Sequence, residues 1–453
     1  MLPTIRNIAQ IRRLCKTGGQ GFPIISPKGP PQRKKKNLWA PKLAIPAVSA
    51  IITVSDPNET YTERMNAMSK IRGESRLSFF EATGIIVGHG VGAGILAVPA
   101  LAARNSLREI LLILCFCYLF NLILHLIIAE LSYNNGGAQF ISCFDRELFS
   151  GKFKKIFTWA AFALLGLSVL MNVSSFLTGA ANVFSNWFGL NTTLGMLIFY
   201  VFGAGVVFFG MKLVGICEKY AVAAMVLVMG VLFVYTLTRE TQPLPTAFGG
   251  GKNALALLSV VSFSLSAVMS TPQVVKGLEG DVKRIRLSIA AGLAVNAGLI
   301  LLVTVTTLIG VGAPAVTEDG ALVDLSHKLG GWVSVVGYVF SLLALATSFW
   351  ANTLNLRDIV HEQTKWNEKL SWLCASLPCL LLAIFASATF VKFTLFASAI
   401  QVVTGLGVLV AYHLSRRRVG SAPLVGVFGT LPFQILVGLC TLLATVGAVL
   451  PVS

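Results

Sequence analysis

The stretch Gly84-Ile-Ile-Val-Gly-His-Gly-Val-Gly-Ala-Gly-Ile-Leu-Ala-Val-Pro99 constrains this chain more than any other. It lies inside the first long apolar segment, yet Gly88, Gly90, Gly92 and Gly94 occupy every second position. A glycine costs about 1 kcal/mol relative to alanine in a helix interior. Four of them together predict a helix that opens at its middle. In a bilayer an opened backbone is tolerated only where protein buries it or water reaches it. The opening then presents N–H and C=O groups near mid-membrane, where they can hold a polar solute or an ion. Close helix packing explains the same spacing, because Gly84-xxx-Gly88 and Gly90-xxx-Gly94 both fit a small-residue contact pattern.

Composition decides the class. Of 453 residues, 55% are hydrophobic and 12% charged, about half the charged share of a soluble domain. The chain reads as a polytopic membrane protein. Its net charge of +17 fits basic cytoplasmic loops and a basic tail better than nucleic-acid binding. The eight cysteines show no CxxC pair and no Cys/His cluster at metal-ligand spacing, and read as small apolar residues of membrane helices. No HExxH, GxSxG, Walker loop or paired-carboxylate signature is present. The sequence therefore points away from an enzyme, and to no metal and no cofactor.

Residues 1–55 contain no Asp or Glu but hold basic residues from Arg6 to Lys42, with Pro and Gly between them. Such a segment buries no core. We take residues 1–77 as a basic, disordered N-terminal tail and 78–453 as the transmembrane domain. A start codon assigned too early, with Met65 and Met68 as the alternatives, or an organellar transit peptide fits the tail as well. From residue 78 the apolar runs predict spans at 78–102, 108–132, 156–184, 192–211, 214–237, 254–278, 286–311, 331–356, 370–388, 391–413 and 424–450. Each suffices for about 20 helical residues across a bilayer. With the tail inside, the inner loops carry sixteen Lys and Arg against six outside, as the positive-inside rule asks. A cell (inner) membrane with the N-terminus cytoplasmic is expected, or an organellar membrane if the tail is a transit peptide.

Polar groups interrupt three of the spans. The sixth contains Ser262, Ser264, Ser266, Ser270, Thr271 and Pro272. Pro272 removes a helix hydrogen bond, and serine hydroxyls can satisfy the freed carbonyls. Interrupted first and sixth spans are what two inverted five-helix repeats would give, with substrate at their interface. In the eighth span, Ala344, Thr347 and Ser348 offer hard oxygens suited to Na⁺, with Asn352 and Asn355 beyond them. His89 and His125 lie within the hydrocarbon; His89, in the glycine-rich turn, is a titratable group suited to carrying a proton near neutral pH. Glu218-Lys219 reads as a local interfacial pair.

These residues resemble a family. Gly92-Ala-Gly-Ile-Leu-Ala-Val-Pro99 is similar to G-A-G-hydrophobic-L-A-L-P, and Glu130-Leu-Ser…Gly136-Gly137 to A-E-L…P…G-G, with Asn134 and Asn135 where proline is usual. Ser262-Phe263…Pro272…Asp281-Val-Lys-Arg-Ile-Arg286 resembles S-F…P…D-x-K-K-x-R, and Thr347-Ser-Phe-Trp…Leu356-Arg-Asp358 resembles T-S-F-L-G…D. The motifs are those of amino-acid permeases of the amino acid–polyamine–organocation superfamily, the amino acid/auxin permease branch and bacterial aromatic amino-acid permeases. The chain departs from them at Leu265-Ser266, where Phe-x-His is frequent, and at His89-Gly90.

The resemblance implies an all-α membrane protein of eleven transmembrane helices, a LeuT-like 5+5 inverted repeat plus one helix, with helices one and six broken. It implies cation-coupled symport of amino acids; small residues at Gly88, Gly90 and Ser266 leave room for aromatic or large neutral side chains. Substrate would meet Gly88, His89, Gly92, Ala93, Gly94, Ser262, Phe263, Ser264 and Ser266. The coupling ion, H⁺ or Na⁺, would meet Val87, Gly90, Ala344, Thr347 and Ser348. The expected partners are the amino acid and the lipid bilayer, and not nucleic acid. A receptor of the same fold, signalling through the tail, is the alternative.

Overall fold

The computed structural model describes residues 76–317, 321–386, 390–420 and 423–447. The reading of residues 1–75 as a basic tail lies outside them. The described residues are all-helical. α1 spans Phe79–Val91 and α2 Val98–Ala102, with a 3₁₀ turn at Ala93–Leu96 between them. α3 (Leu107–Asn134), α4 (Phe140–Glu147), α5 (Lys154–Phe188), α6 (Thr192–Phe208) and α7 (Met211–Leu237) complete the first half. α8 (Gly250–Ser264), a 3₁₀ turn at Val268–Ser270 and α9 (Thr271–Gly277) open the second. α10 (Val282–Val311), α11 (Ala321–Leu329), α12 (Trp332–Thr364), α13 (Glu368–Phe385), α14 (Phe390–Val419) and α15 (Leu431–Gly447) follow.

By length and apolar composition, and counting 250–277 as one, seven helices among the described residues can cross a membrane, and eight if the pieces 79–91 and 94–102, bent by 57°, are one span. α6 and α15 are apolar but shorter. Large apolar side chains such as Leu112, Val201 and Leu227 stand exposed on helix flanks, a surface that lipid suits and water does not. The chain is an integral membrane protein.

Helix starts follow local chemistry. Ser78 and Glu81 form a reciprocal capping box at α1, and Ser106 and Glu109 another at α3, each satisfying two otherwise orphaned N–H groups. Glu81 also accepts from Lys212 Nζ at 2.7 Å, tying the start of α1 to that of α7. α1 packs against α7, α10 and α12. Glycines on both sides allow this: a Cβ at Gly84 of α1 would stand 2.9 Å from Lys219 N, and one at Gly292 of α10 would stand 2.6 Å from Ile86 of α1.

Two short helices escaped the sequence reading. α4 and α11, of eight and nine residues, are too short and too polar to register as apolar runs. α12 extends to Thr364 rather than ending near residue 356. Hydropathy falls at Asn352, Asn355, Arg357 and Asp358, but all four are buried in the bundle, and Arg357 Nη2 pairs with Asp358 Oδ1 at 2.8 Å.

Candidate substrate and ion site

α1 stops at Val91 because the next residue, Gly92, has φ +36°, a conformation that carries a penalty for any side chain. The 3₁₀ turn and α2 then leave at a new angle. Opposite, α8 ends at Ser264, and Leu265, Ser266 and Ala267 run outside any helix before the turn at Val268. The opening lies within the interrupted sixth-span stretch, at Leu265-Ser266, and precedes Pro272. Pro272 is the second residue of α9, a position whose N–H has no intrahelical partner, so its ring costs nothing there.

Side chains from neighbouring helices take up the freed backbone groups. Ala267 N–H donates to His125 Nε2 at 2.9 Å. Since that nitrogen accepts, His125 carries its proton on Nδ1, which donates to the Asn121 carbonyl at 2.7 Å. Asn355 Nδ2 donates to the Met269 carbonyl at 2.6 Å, and Asn296 Nδ2 reaches the Ser264 carbonyl at 3.5 Å. His89 Nδ1 lies 2.8 Å from Ser270 Oγ, joining α1 to the second opening.

The two openings face each other. A Cβ at Gly94 would stand 2.9 Å from Ser264 Oγ and 3.2 Å from the Phe263 ring. Ser264 Oγ is buried with no hydrogen-bond partner among the described residues. Phe263 is 49% exposed, so its ring borders open space rather than filling a core. Ser262 lies beside Asn121, whose Nδ2 donates to its Oγ at 3.4 Å. Ser266 N–H turns back to the Phe263 carbonyl at 3.0 Å. Ala93 follows Gly92 in the same turn.

A second polar surface lies where α1 meets α7 and α12. Ser348 Oγ donates to the Gly88 carbonyl at 3.2 Å, and Thr347 Oγ1 to the Ala344 carbonyl at 3.0 Å. Val87 and Ala344 are buried beside them in one apolar cluster. Gly88 and Gly90 divide between two faces. A Cβ at Gly88 would stand 1.7 Å from Glu218 Oε2 and 2.8 Å from Thr347 Cβ, whereas one at Gly90 would meet Asn296 Nδ2 at 2.1 Å and the Ser264 carbonyl at 3.3 Å. Two residues along an α-helix turn through about 200°, so neighbours two apart look opposite ways. The side faces thus pair Gly88 with the eighth-span hydroxyls and Gly90 with the sixth-span opening.

Glu218 corrects a reading. It forms no interfacial pair with Lys219. Its side chain is fully buried and both carboxylate oxygens lack a hydrogen-bond partner among the described residues. Lys219 Nζ lies over the Tyr220 ring at 4.4 Å. Adjacent helical residues point about 100° apart, which sends one inward and the other out. The sequence reading also passed over Asn121 and Asn296; their signal was an amide inside an apolar run, where a lone polar group needs a partner.

Comparison with known proteins bears on the family and the fold. A family model described as the tryptophan/tyrosine permease family matches residues 75–445. No curated protein sequence matches the chain. Among solved structures, MhsT in complex with L-phenylalanine aligns with a TM-score of 0.61 at 14% identity, covering 83% of this chain and all (100%) of that one. Mhp1, a nucleobase-cation-symport-1 family transporter in a closed conformation with bromovinylhydantoin bound, aligns with a TM-score of 0.55 at 14% identity, over 83% of this chain and 91% of that one. At such identity the likeness is one of fold, and the fold is that of LeuT-fold transporters.

Proposed function

The chain belongs to the tryptophan/tyrosine permease family, and from that premise we propose that it carries aromatic amino acids across a membrane by cation-coupled symport. It is a transporter rather than an enzyme. The observation that carries the reading is the meeting of two non-helical openings, at Gly92 and at 265–267, with Gly94, Ser264 and the half-exposed Phe263 between them. We read these as the broken first and sixth helices of a 5+5 inverted repeat. Taking 79–102 and 250–277 as single spans and adding α6, α14 and α15 gives eleven.

In this reading the substrate carboxylate takes N–H groups of Gly92, Ala93 and Gly94. The ammonium takes carbonyls of Ser262, Phe263 and Ser264, with Gly88 or His89. Phe263 stacks on or covers the aromatic side chain, an arrangement favoured by about 0.5–1.5 kcal/mol beyond burial. Gly88, Gly90 and Ser266 keep the surrounding volume low. The coupling ion, a proton or Na⁺, sits between Val87, Ala344, Thr347 and Ser348, with Gly88, the glycine on their side of α1, in place of the Gly90 expected from the sequence.

The test is uptake of labelled tryptophan into proteoliposomes under an inward cation gradient, with unlabelled amino acids added singly. Tyrosine and phenylalanine should compete, and lysine and glutamate should not. Equal competition by charged amino acids, or tryptophan uptake no greater than in protein-free vesicles, contradicts the assignment.

A further inference from the structure

Glu218 has a place in the structure that the substrate site does not explain. α1 and α7 cross at Gly84 and Gly88, and the missing side chain at Gly84 lets the α7 backbone come close at residues 218 and 219. From there the Glu218 side chain reaches the α1 backbone. One carboxylate oxygen lies 1.7 Å from where a Gly88 Cβ would stand, with Thr347 Cβ 2.8 Å from the same point. Glycine at 88 thus holds the space the carboxylate fills. At the same glycine, Ser348 Oγ donates to the Gly88 carbonyl at 3.2 Å, so α12 hydroxyls and the carboxylate of α7 meet α1 at one residue.

Among the described residues no cation pairs with Glu218. On α1, Glu81 is tied to Lys212 and His89 to Ser270. On α12, Arg357 pairs with Asp358, and Glu362 accepts from Ser142 and the Gln139 N–H. On α10, Lys283, Arg284 and Arg286 are exposed at its first turns, and on α6 Tyr200 lies against Ser376. On α7 itself, Lys219 lies over Tyr220. A carboxylate buried at membrane depth without a cation is strongly disfavoured, and carboxylate, hydroxyl and carbonyl oxygens suit a hard cation.

We infer that Glu218 is the anionic group of the coupling-cation site, which takes a proton or a sodium ion on its carboxylate between α1, α7 and α12. The inference rests on the transport reading above and adds to it the residue that makes the site charge-selective. A cation bound here neutralises Glu218 and draws the Gly88 end of α1 toward α7 and α12. The opening at Gly92 is four residues further along the same backbone, so cation and substrate sites share one element.

The experiment compares wild type with Glu218→Gln in proteoliposomes, using labelled tryptophan. An imposed pH gradient and an imposed Na⁺ gradient are applied separately at fixed membrane potential. Counterflow with no gradient is measured in the same vesicles. Wild type should accumulate tryptophan under one of the two gradients, which identifies the cation as proton or sodium. Glu218→Gln should lose at least about tenfold of that accumulation while counterflow stays above protein-free vesicles. Gradient-driven accumulation by Glu218→Gln at the wild-type level overturns the inference, as does a monodisperse Glu218→Gln that binds no tryptophan. Absence of counterflow in wild type instead overturns the transport reading itself. If the variant does not fold, carbodiimide modification of Glu218 in wild type, read by peptide mass spectrometry, decides. Modification should fall with rising Na⁺ for a sodium site or with rising pH for a proton site; insensitivity to both overturns the inference.

Discussion

Gly92 and Gly94 do different things for the same site. Gly92 is required by its own backbone, φ +36° and ψ −173°, a conformation nearly confined to glycine in which a side chain costs about 1–3 kcal/mol. Gly94 is required by its neighbours, since an added Cβ would press on Ser264 Oγ at 2.9 Å. We expect Gly92→Val and Gly94→Val each to lower tryptophan uptake by about tenfold or more, the equivalent of about 1.4 kcal/mol, with membrane insertion unchanged. Normal uptake by both, measured against surface-labelled protein, would remove the backbone from substrate recognition. The glycine run was legible in the sequence as an opening. Which face each glycine serves was not, because that depends on the rotation of α1 against α7 and α10. Glu218 was misread for the same reason: beside a lysine near a predicted span end it looks like a surface pair, and only the packing at Gly84 and Gly88 turns it inward.

At the scale of elements, spans were legible and interruptions less so. Long apolar runs mark where helices cross, but Pro272 drew attention to a position that helix geometry tolerates. The residues that stabilise the true opening sit on other helices, His125 on α3 and Asn355 on α12, so no local pattern points to them. His125→Leu leaves the buried Ala267 N–H without its acceptor, a loss of about 1–3 kcal/mol. The melting temperature in detergent should fall, and His125→Gln, which restores an acceptor, should recover part of it. An unchanged melting temperature in the leucine variant would show that the bond is not needed to hold the opening. A second tie is Glu130, buried in α3, which accepts from Tyr412 Oη at 3.0 Å and from the Leu424 and Val425 N–H groups at 2.9 and 3.0 Å. Hydrogen bonds to a charged group contribute about 1.5–3 kcal/mol. Tyr412→Phe should therefore lower stability by about 2 kcal/mol with little change in tryptophan affinity. An equal loss of affinity would join this tie to the substrate site.

For the whole molecule, the bilayer is the solvent that the apolar flanks require, and the helices meet through small residues and polar ties rather than by exclusion of water. The family match begins at residue 75, and among the described residues the first buried side chain is Leu77, whose amide donates to the Gly277 carbonyl at 2.8 Å. A chain starting at Met65 should therefore insert and take up tryptophan at a rate similar to the full chain; failure to fold would give residues 1–64 a structural role. In the proposed function the two openings form one substrate site reached in turn from both sides of a membrane. Tryptophan counterflow tests it most directly, because it needs no assumption about the coupling ion. Proteoliposomes loaded with unlabelled tryptophan are diluted into a trace of labelled tryptophan without any ion gradient. Label should accumulate transiently above its equilibrium level, and Gly94→Val should abolish this. Label that rises only to equilibrium, at the rate of protein-free vesicles, would contradict the proposed function.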